Sequence, residues 1–161
     1  VLLELRSSVD TSLVEQRAAF LLQNGNIEVI TDCSCGAAFY DAEDGSSYYL
    51  VIRTRNHLDI ISRTPILVEN GVLSYDFTTD ASKAMGNQQV QLDANQYGLY
   101  AGDINSDGIV SVIDFNEYLA QSSFVNLYTK SDLNLNGNVT IADFNLYQPN
   151  ASLIGVSAIR Y

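Results

Sequence analysis

The chain has 161 residues, 47% of them hydrophobic, and carries a formal net charge of −11 from 19 acidic and 8 basic side chains. That charge argues against nucleic acid or an anionic membrane surface as partner, while the apolar content suffices for the core of one globular domain or two small ones. No apolar run approaches the ~20 residues that span a bilayer, so membrane insertion is not expected. The first residues shown do not have the charged-then-apolar pattern of a leader, and the chain is expected to be a mature or excised piece of a secreted protein.

From residue 1 to about 95 the pattern is short apolar segments rich in β-formers, separated by turn signals every 8–12 residues, the spacing of a sandwich. Strands are expected at 1–6, 17–23, 26–30, 37–41, 47–55, 58–62, 66–68, 72–78 and 89–92. In the first, Val1, Leu3 and Leu5 share one face. Two hairpins are signalled by Asn24-Gly25 and Asn70-Gly71, because the primed two-residue turn needs positive φ at both central positions.

Cys33-Ser34-Cys35 leaves two readings open. Extended neighbours point to opposite faces, so a bridge across one residue would be strained, and two free loop thiols are the alternative. His57, the sole histidine, lies in an apolar run and reads as structural. As the only conventional general base it has no acidic neighbour closer than Asp59, and no phosphate loop, HExxH pair or nucleotide fingerprint accompanies it. The chain is therefore expected not to be an enzyme. Ten tyrosines, among them Tyr48, Tyr49, Tyr97, Tyr100 and Tyr128, would suit sugar stacking if exposed. Trp is absent, and buried strand tyrosines are the commoner outcome.

The most specific pattern is a twelve-residue loop, Asp103 to Asp114, repeated 29 residues later as Asp132 to Asp143. Calcium takes 6–8 oxygens at roughly 2.3–2.6 Å, supplied by loop positions 1, 3, 5, the carbonyl of 7, often a water on 9, and a carboxylate at 12, with Gly at 6 for the turn. The first loop offers Asp103, Asn105, Asp107, the carbonyl of Ile109, Ser111 and Asp114, turning at Gly108. The second offers Asp132, Asn134, Asn136, the carbonyl of Asn138, Thr140 and Asp143, turning at Gly137. One such stretch is an ordinary Asp/Asn/Gly turn. Two in the same frame, each with Val at position 8 and Asp-Phe at the end, predict two bound Ca²⁺. Five acids sit at ligand positions, so two ions would leave a net charge of about −7.

No helical period precedes the first loop, where Gln96-Tyr-Gly-Leu-Tyr-Ala-Gly102 contains two glycines. Paired loops each followed, but not preceded, by a helix resemble the dockerin family over about residues 98–148, with Gly102-Asp103-Ile-Asn-Ser-Asp-Gly-Ile-Val-Ser similar to its signature. The resemblance implies calcium binding and docking on a cohesin-like partner through loop positions 10 and 11, here Val112-Ile113 and Ile141-Ala142, together with basic helix residues. The first helix lacks Lys and Arg, and Pro149 shortens the second. Upstream, Gly45-Ser-Ser-Tyr-Tyr-Leu-Val-Ile-Arg-Thr-Arg-Asn-His-Leu followed by Val72-Leu-Ser-Tyr-Asp-Phe-Thr resembles transthyretin-like and collagen-adhesin B-type modules. Together these look like C-terminal regions of secreted surface proteins of the Bacteroidetes type, which implies extracellular scaffolding and adhesion.

Residues 153–161 are too apolar for a solvated tail. They are expected to return to the sandwich or to add a strand to a neighbouring molecule's sheet. Head-to-tail donation would propagate a filament.

The expected architecture is mainly β, an antiparallel Greek-key β-sandwich at 1–95 followed at 96–161 by a small dockerin-like double calcium-loop module with two short helices and an apolar C-terminal strand. The expected function is a non-catalytic, calcium-stabilised extracellular structural or adhesive module of a bacterial surface. Its partner would be itself, as a homopolymer assembled through terminal-strand exchange, or another extracellular β domain. The alternatives are a dockerin-type binding module and a carbohydrate-binding module for polysaccharide.

Overall fold

A computed structural model describes residues 1–22, 24–28 and 37–159. It is mainly β, with antiparallel sheets and two short helices. Cys33, Cys35 and the last two residues, where expectations had also been placed, lie outside the described residues. The chain forms two compact units, Val1–Arg53 with Ile60–Gly98, and Thr54–Asp59 with Leu99–Tyr161. The main division thus falls at 98/99, near the expected 95/96, but a six-residue segment from within the first hundred residues belongs to the second unit. No helix among the described residues is long and apolar enough to cross a membrane.

In the first unit, β1 (Leu2–Ser7), β2 (Leu13–Ala18), β5 (Ser47–Arg53), β6 (Ile60–Ile61) and β7 (Ile66–Leu67) form one antiparallel sheet of order β2-β1-β5-β6, with β7 also on β5. β3 (Phe20–Leu21) pairs with β4 (Ile27–Glu28), and β8 (Val90–Asp93) pairs with β9 (Gln96–Gly98). β1 is central, Leu3 opposite Ile52 and Arg17, and Leu5 opposite Leu50 and Glu15. Leu5, Val51 and Ile61 are fully buried although Leu5 and Val51 lie on opposite faces, so the sheet is covered on both sides. The Glu4 carboxylate is buried between two guanidinium groups: its Oε2 accepts from Arg6 at 2.8 Å and its Oε1 from Arg53 Nε at 2.6 Å. Glu4 sits on a central strand because these partners replace its water.

Three strand expectations differ from what forms. β2 spans 13–18 rather than beginning at 17; it carries Glu15, Gln16 and Arg17 and borders the sheet, and such polar edge strands lack a strong hydrophobic alternation. Residues 72–78 make a single bridge, Glu69 to Val72. The Asp76 carboxylate takes both the N–H and the hydroxyl of Thr78 at 2.7 Å, giving the backbone a local alternative to a ladder. Residues 37–41 form no strand; the Asp41 N–H donates to Glu15 Oε2 at 2.8 Å. Asn70 and Gly71 both have positive φ, 54° and 74°, as a primed turn requires. At Asn24-Gly25 the loop closes instead between Leu22 and Asn26, with only Gly25 at positive φ (88°) among the described loop residues.

The second unit holds α1 (Val112–Gln121) and α2 (Ile141–Tyr147), each beginning at position 10 of a twelve-residue loop, so that the loop's last three residues already form the helix's first turn. Both start with a capping box, Ser111 with Asp114 and Thr140 with Asp143, which satisfies amides that a helix start otherwise leaves unpaired. The core gathers Leu58, Ile104, Val110, Tyr118, Leu133, Val139 and Tyr147.

Candidate functional site

The backbone amides of the two loops find the same side-chain acceptors, position by position. In the first, the Asp107 N–H donates to both Asp103 Oδ1 and Asn105 Oδ1 at 3.0 Å, and Gly108 N–H donates to Asp103 Oδ2 at 3.0 Å. In the second, Asn136 N–H donates to Asp132 Oδ1 at 3.0 Å and Asn134 Oδ1 at 3.1 Å, and Gly137 N–H to Asp132 Oδ2 at 2.8 Å. Side-chain oxygens from positions 1 and 3 therefore converge on one amide in each loop. Ser106 and Leu135 at position 4 have φ of 61° and 60°, and Gly108 and Gly137 have 80° and 85°. Those left-handed residues fold each loop back on itself, and glycine takes that conformation without a Cβ clash.

Position 12 closes each loop. Asp114 Oδ1 accepts from the N–H groups of Ile104 (2.7 Å) and Asn105 (3.1 Å), and its Oδ2 accepts from Ser111 N–H at 2.8 Å. Asp143 repeats this with Leu133 (2.8 Å), Asn134 (3.2 Å) and Thr140 (2.8 Å). Position 7, Ile109 and Asn138, lies in a short bridge, to Ile154 and Val125 respectively.

Each repeat also fastens the other. Val110 N–H donates to Leu153 O and Ser152 N–H to Val110 O, just as Val139 N–H donates to Phe124 O and Ser123 N–H to Val139 O. The Tyr147 hydroxyl donates to Ser111 O at 2.8 Å and the Tyr118 hydroxyl to Thr140 O at 3.0 Å. Phe115 stacks on Tyr147 and Phe144 meets Tyr118 at centroid distances of 6.0 and 5.9 Å. The apolar tail is thus absorbed by the first loop. Among its described residues the tail forms no strand of the kind expected, because Gly108 and Val110 present backbone groups that residues 152–155 satisfy.

The electrostatics are those of an acid-rich cage. Burial, opposed by hydrogen bonds from Gly108 and Asp107 and reinforced by the charges of Asp114 and Asp107, pushes the Asp103 carboxyl up to about 6. Among the described residues no Lys, Arg or His makes a salt bridge with Asp103, Asp107, Asp114, Asp132 or Asp143. Nor does any group of three or more His, Cys, Asp or Glu among them form a metal-holding cluster. In a loop of this kind about half the donors are instead amide, hydroxyl and carbonyl oxygens, all hard ligands suited to a cation of the calcium type. The donor chemistry of 103–114 and 132–143 therefore fits such an ion, with buried carboxylates that lack a cationic partner.

His57 lies beside Asn56, Nδ1 to Oδ1 at 2.7 Å, and burial with the nearby Arg55 charge lowers its pKa to about 4. Val112, Ile113 and Ile141, at loop positions 10 and 11, are 66%, 54% and 68% exposed. Tyr128 is exposed but carries the Arg55 guanidinium 3.3 Å from its ring centroid, and Tyr40 carries that of Arg17 at 4.6 Å. The two cross-repeat tyrosines were legible in principle, since Tyr118 and Tyr147 are 29 residues apart. Asn56 and Asn150 carry no such signal. The chain matches no family model, no curated protein and no solved structure.

Proposed function

We propose that the chain is a non-catalytic, calcium-stabilised extracellular structural or adhesive module, with one Ca²⁺ in each loop of a dockerin-like second unit. The observation that carries this reading is the duplication, in the same frame, of an oxygen-rich loop whose carboxylates at positions 1 and 12 are buried without a cationic partner among the described residues. Asp103, Asn105, Asp107, the Ile109 carbonyl, Ser111 and Asp114 would hold the first ion. Asp132, Asn134, Asn136, the Asn138 carbonyl, Thr140 and Asp143 would hold the second. Calcium there would neutralise the carboxylates and join the loop's ends. A requirement for millimolar-range calcium would suit an extracellular setting. Burial of the first unit's sheet on both faces supports the Greek-key sandwich reading of that region.

Titration calorimetry tests the metal assignment. Two sites are expected, the first tighter because it offers three carboxylates against two, and ligand charge raises affinity. Absence of binding at millimolar calcium would sink it.

Self-assembly by terminal-strand exchange is the proposed mode of action at a bacterial surface. β1 pairs on both sides within the chain, with β2 and β5, and the tail bridges the first loop. A filament would therefore substitute the same pairings from a neighbouring copy, as domain swapping does. Sedimentation of the calcium-loaded chain at tens of micromolar is the test, a monomer there excluding the filament. A second reading, docking on a cohesin-like β domain, is favoured by the exposed Val112, Ile113 and Ile141. Tight one-to-one binding to such a domain, lost in Val112→Asp, would establish it. The polysaccharide reading has less support, because the two most exposed tyrosines among the described residues, Tyr128 and Tyr40, each carry a guanidinium over the ring.

A further inference from the structure

The duplication breaks down just ahead of the two loops. Ala101 and Lys130 occupy the same place in the two repeats, two residues ahead of Asp103 and Asp132. At the first, the Ala101 carbonyl accepts from Asn150 Nδ2 at 2.8 Å, and the same amide donates to Leu146 O at 2.9 Å. The residue 29 positions before Asn150 is Gln121. It does not serve the second repeat in this way, and its Oε1 is buried without a partner. The Lys130 carbonyl is served by Asn56 Nδ2 at 2.9 Å, whose other proton goes to the carbonyl of Asp132 itself, also at 2.9 Å.

Asn56 is 3% exposed, and both polar atoms of its side chain are engaged. With both amide protons on carbonyls, its Oδ1 can only accept, so the contact with His57 fixes the proton on Nδ1 of the ring. Its own carbonyl accepts from Gly102 N–H at 3.0 Å, directly before the first loop. The rest of the segment reinforces this: Leu58 N–H donates to Tyr100 O at 2.8 Å, and the Ser106 hydroxyl donates to Arg55 O at 3.1 Å. Residues 54–59 thus hold the entrance of both loops, and the Asn56 side chain holds the residue that opens the second.

We propose that Asn56 is a positioning residue for the second metal loop, the counterpart of Asn150 at the first, so that Thr54–Asp59 is a third component of the metal module. The inference rests on the calcium reading above. Asp132 supplies position 1, and its carboxylate can reach the ion only if its backbone is held. Two amide protons on the carbonyls at Asp132 and Lys130 hold it. Removing them leaves two buried acceptors unpaired. Partners that orient ligands in this way change metal affinity by about 10–100-fold when lost.

The test is titration of the full-length chain with Ca²⁺, unmodified and as Asn56→Ala, Asn56→Asp and Asn150→Ala. Amide exchange at Gly108 and Gly137 assigns each binding step to its loop. Both Asn56 variants should weaken the second site at least tenfold and the first less than threefold, with Asn150→Ala showing the reverse. Asn56→Asp keeps the shape and loses the donors; full affinity in that variant would overturn the proposal. Equal weakening of both sites by Asn56→Ala, or no weakening, would also overturn it. So would collapse of the second unit in both Asn56 variants at saturating calcium while Asn150→Ala stays folded, since that marks a general packing role. An unmodified chain that binds no calcium would instead remove the calcium reading itself, and this proposal with it.

Discussion

The two units are held together by different kinds of contact. The first relies on a long-range antiparallel sheet, with β1 between two partners and a buried Arg6–Glu4–Arg53 cluster among its side chains. The second has no sheet among its described residues; it is a loop–helix unit written twice, in which each copy supplies backbone partners, a tyrosine hydroxyl and aromatic rings to the other. A sheet satisfies its polar groups within the protein. The second unit leaves a concentration of carboxylates at its centre that protein groups neutralise only through hydrogen bonds. The difference teaches that one chain can combine a region joined by a long-range sheet with one joined by the mutual contacts of two short repeats.

The largest separation of the two is expected from Glu4→Ala. It leaves two guanidinium groups without their buried carboxylate, which costs about 3–5 kcal/mol. Urea denaturation should show that loss in the first unit, with calcium affinity changed less than about twofold because additivity holds for independent sites. A matching loss of calcium binding would show that the units act as one.

Calcium removal should do the converse. At 100 times the dissociation constant a ligand contributes about 2.7 kcal/mol, so chelation should cut amide protection at Ile104, Val110, Leu133 and Val139 by roughly a hundredfold. Leu3, Leu5 and Val51 should change little. Equal loss of protection in both units would break the comparison.

Smaller effects should follow from Tyr147→Phe and Tyr118→Phe, each deleting one hydroxyl donor to the opposite repeat, worth about 0.5–1.5 kcal/mol. The two variants should be equivalent in thermal melts of the second unit. A clear inequality would mean that the repeat's symmetry in hydrogen bonding is not a symmetry in energy.

Acidity sharpens the contrast further. The folded pKa of Asp103, about 6, lies above its ordinary 3.8. The metal-free fold therefore binds this proton more tightly than the unfolded chain, and stability falls as pH rises from about 3.8 through 6. His57 works in the opposite sense: its folded value of about 4 lies below 6.5, so its contribution is present above 6.5 and lost as pH falls toward 4. Without calcium the two oppose each other between about 4 and 6. Calcium would hold Asp103 ionised and turn its contribution into a loss on acidification. Melts of the second unit at pH 7, 6, 5 and 4 should therefore fall more steeply with calcium than without, and parallel profiles would refute the assignment of Asp103 as a ligand.

Several features could be read directly from the amino-acid order because the groups that decide them are neighbours in the chain. The loop at 103–114 and its copy at 132–143 have their oxygens, turning glycine and helix cap within twelve residues, so the repeated pattern and the presence of two short helices are apparent from the residues alone, although each helix starts inside its loop and not after it. Asn70-Gly71 was legible for the same reason, since a primed turn asks only that two adjacent residues accept positive φ. What tertiary structure alone decided depends on partners far along the chain. Residues 72–78 have the alternation of a strand yet lack one, because their polar groups find Asp76, Gln89 and Tyr97 instead of a neighbouring ladder. β2 is a strand despite its charges because β1 lies beside it. Asn56 reaches carbonyls 74 and 76 residues away, and an asparagine between an arginine and a histidine carries no local mark of that task. Hydrogen-bond donors act over about 3 Å, so which distant acceptor they meet is set by how the chain folds, while a twelve-residue loop brings its own acceptors with it.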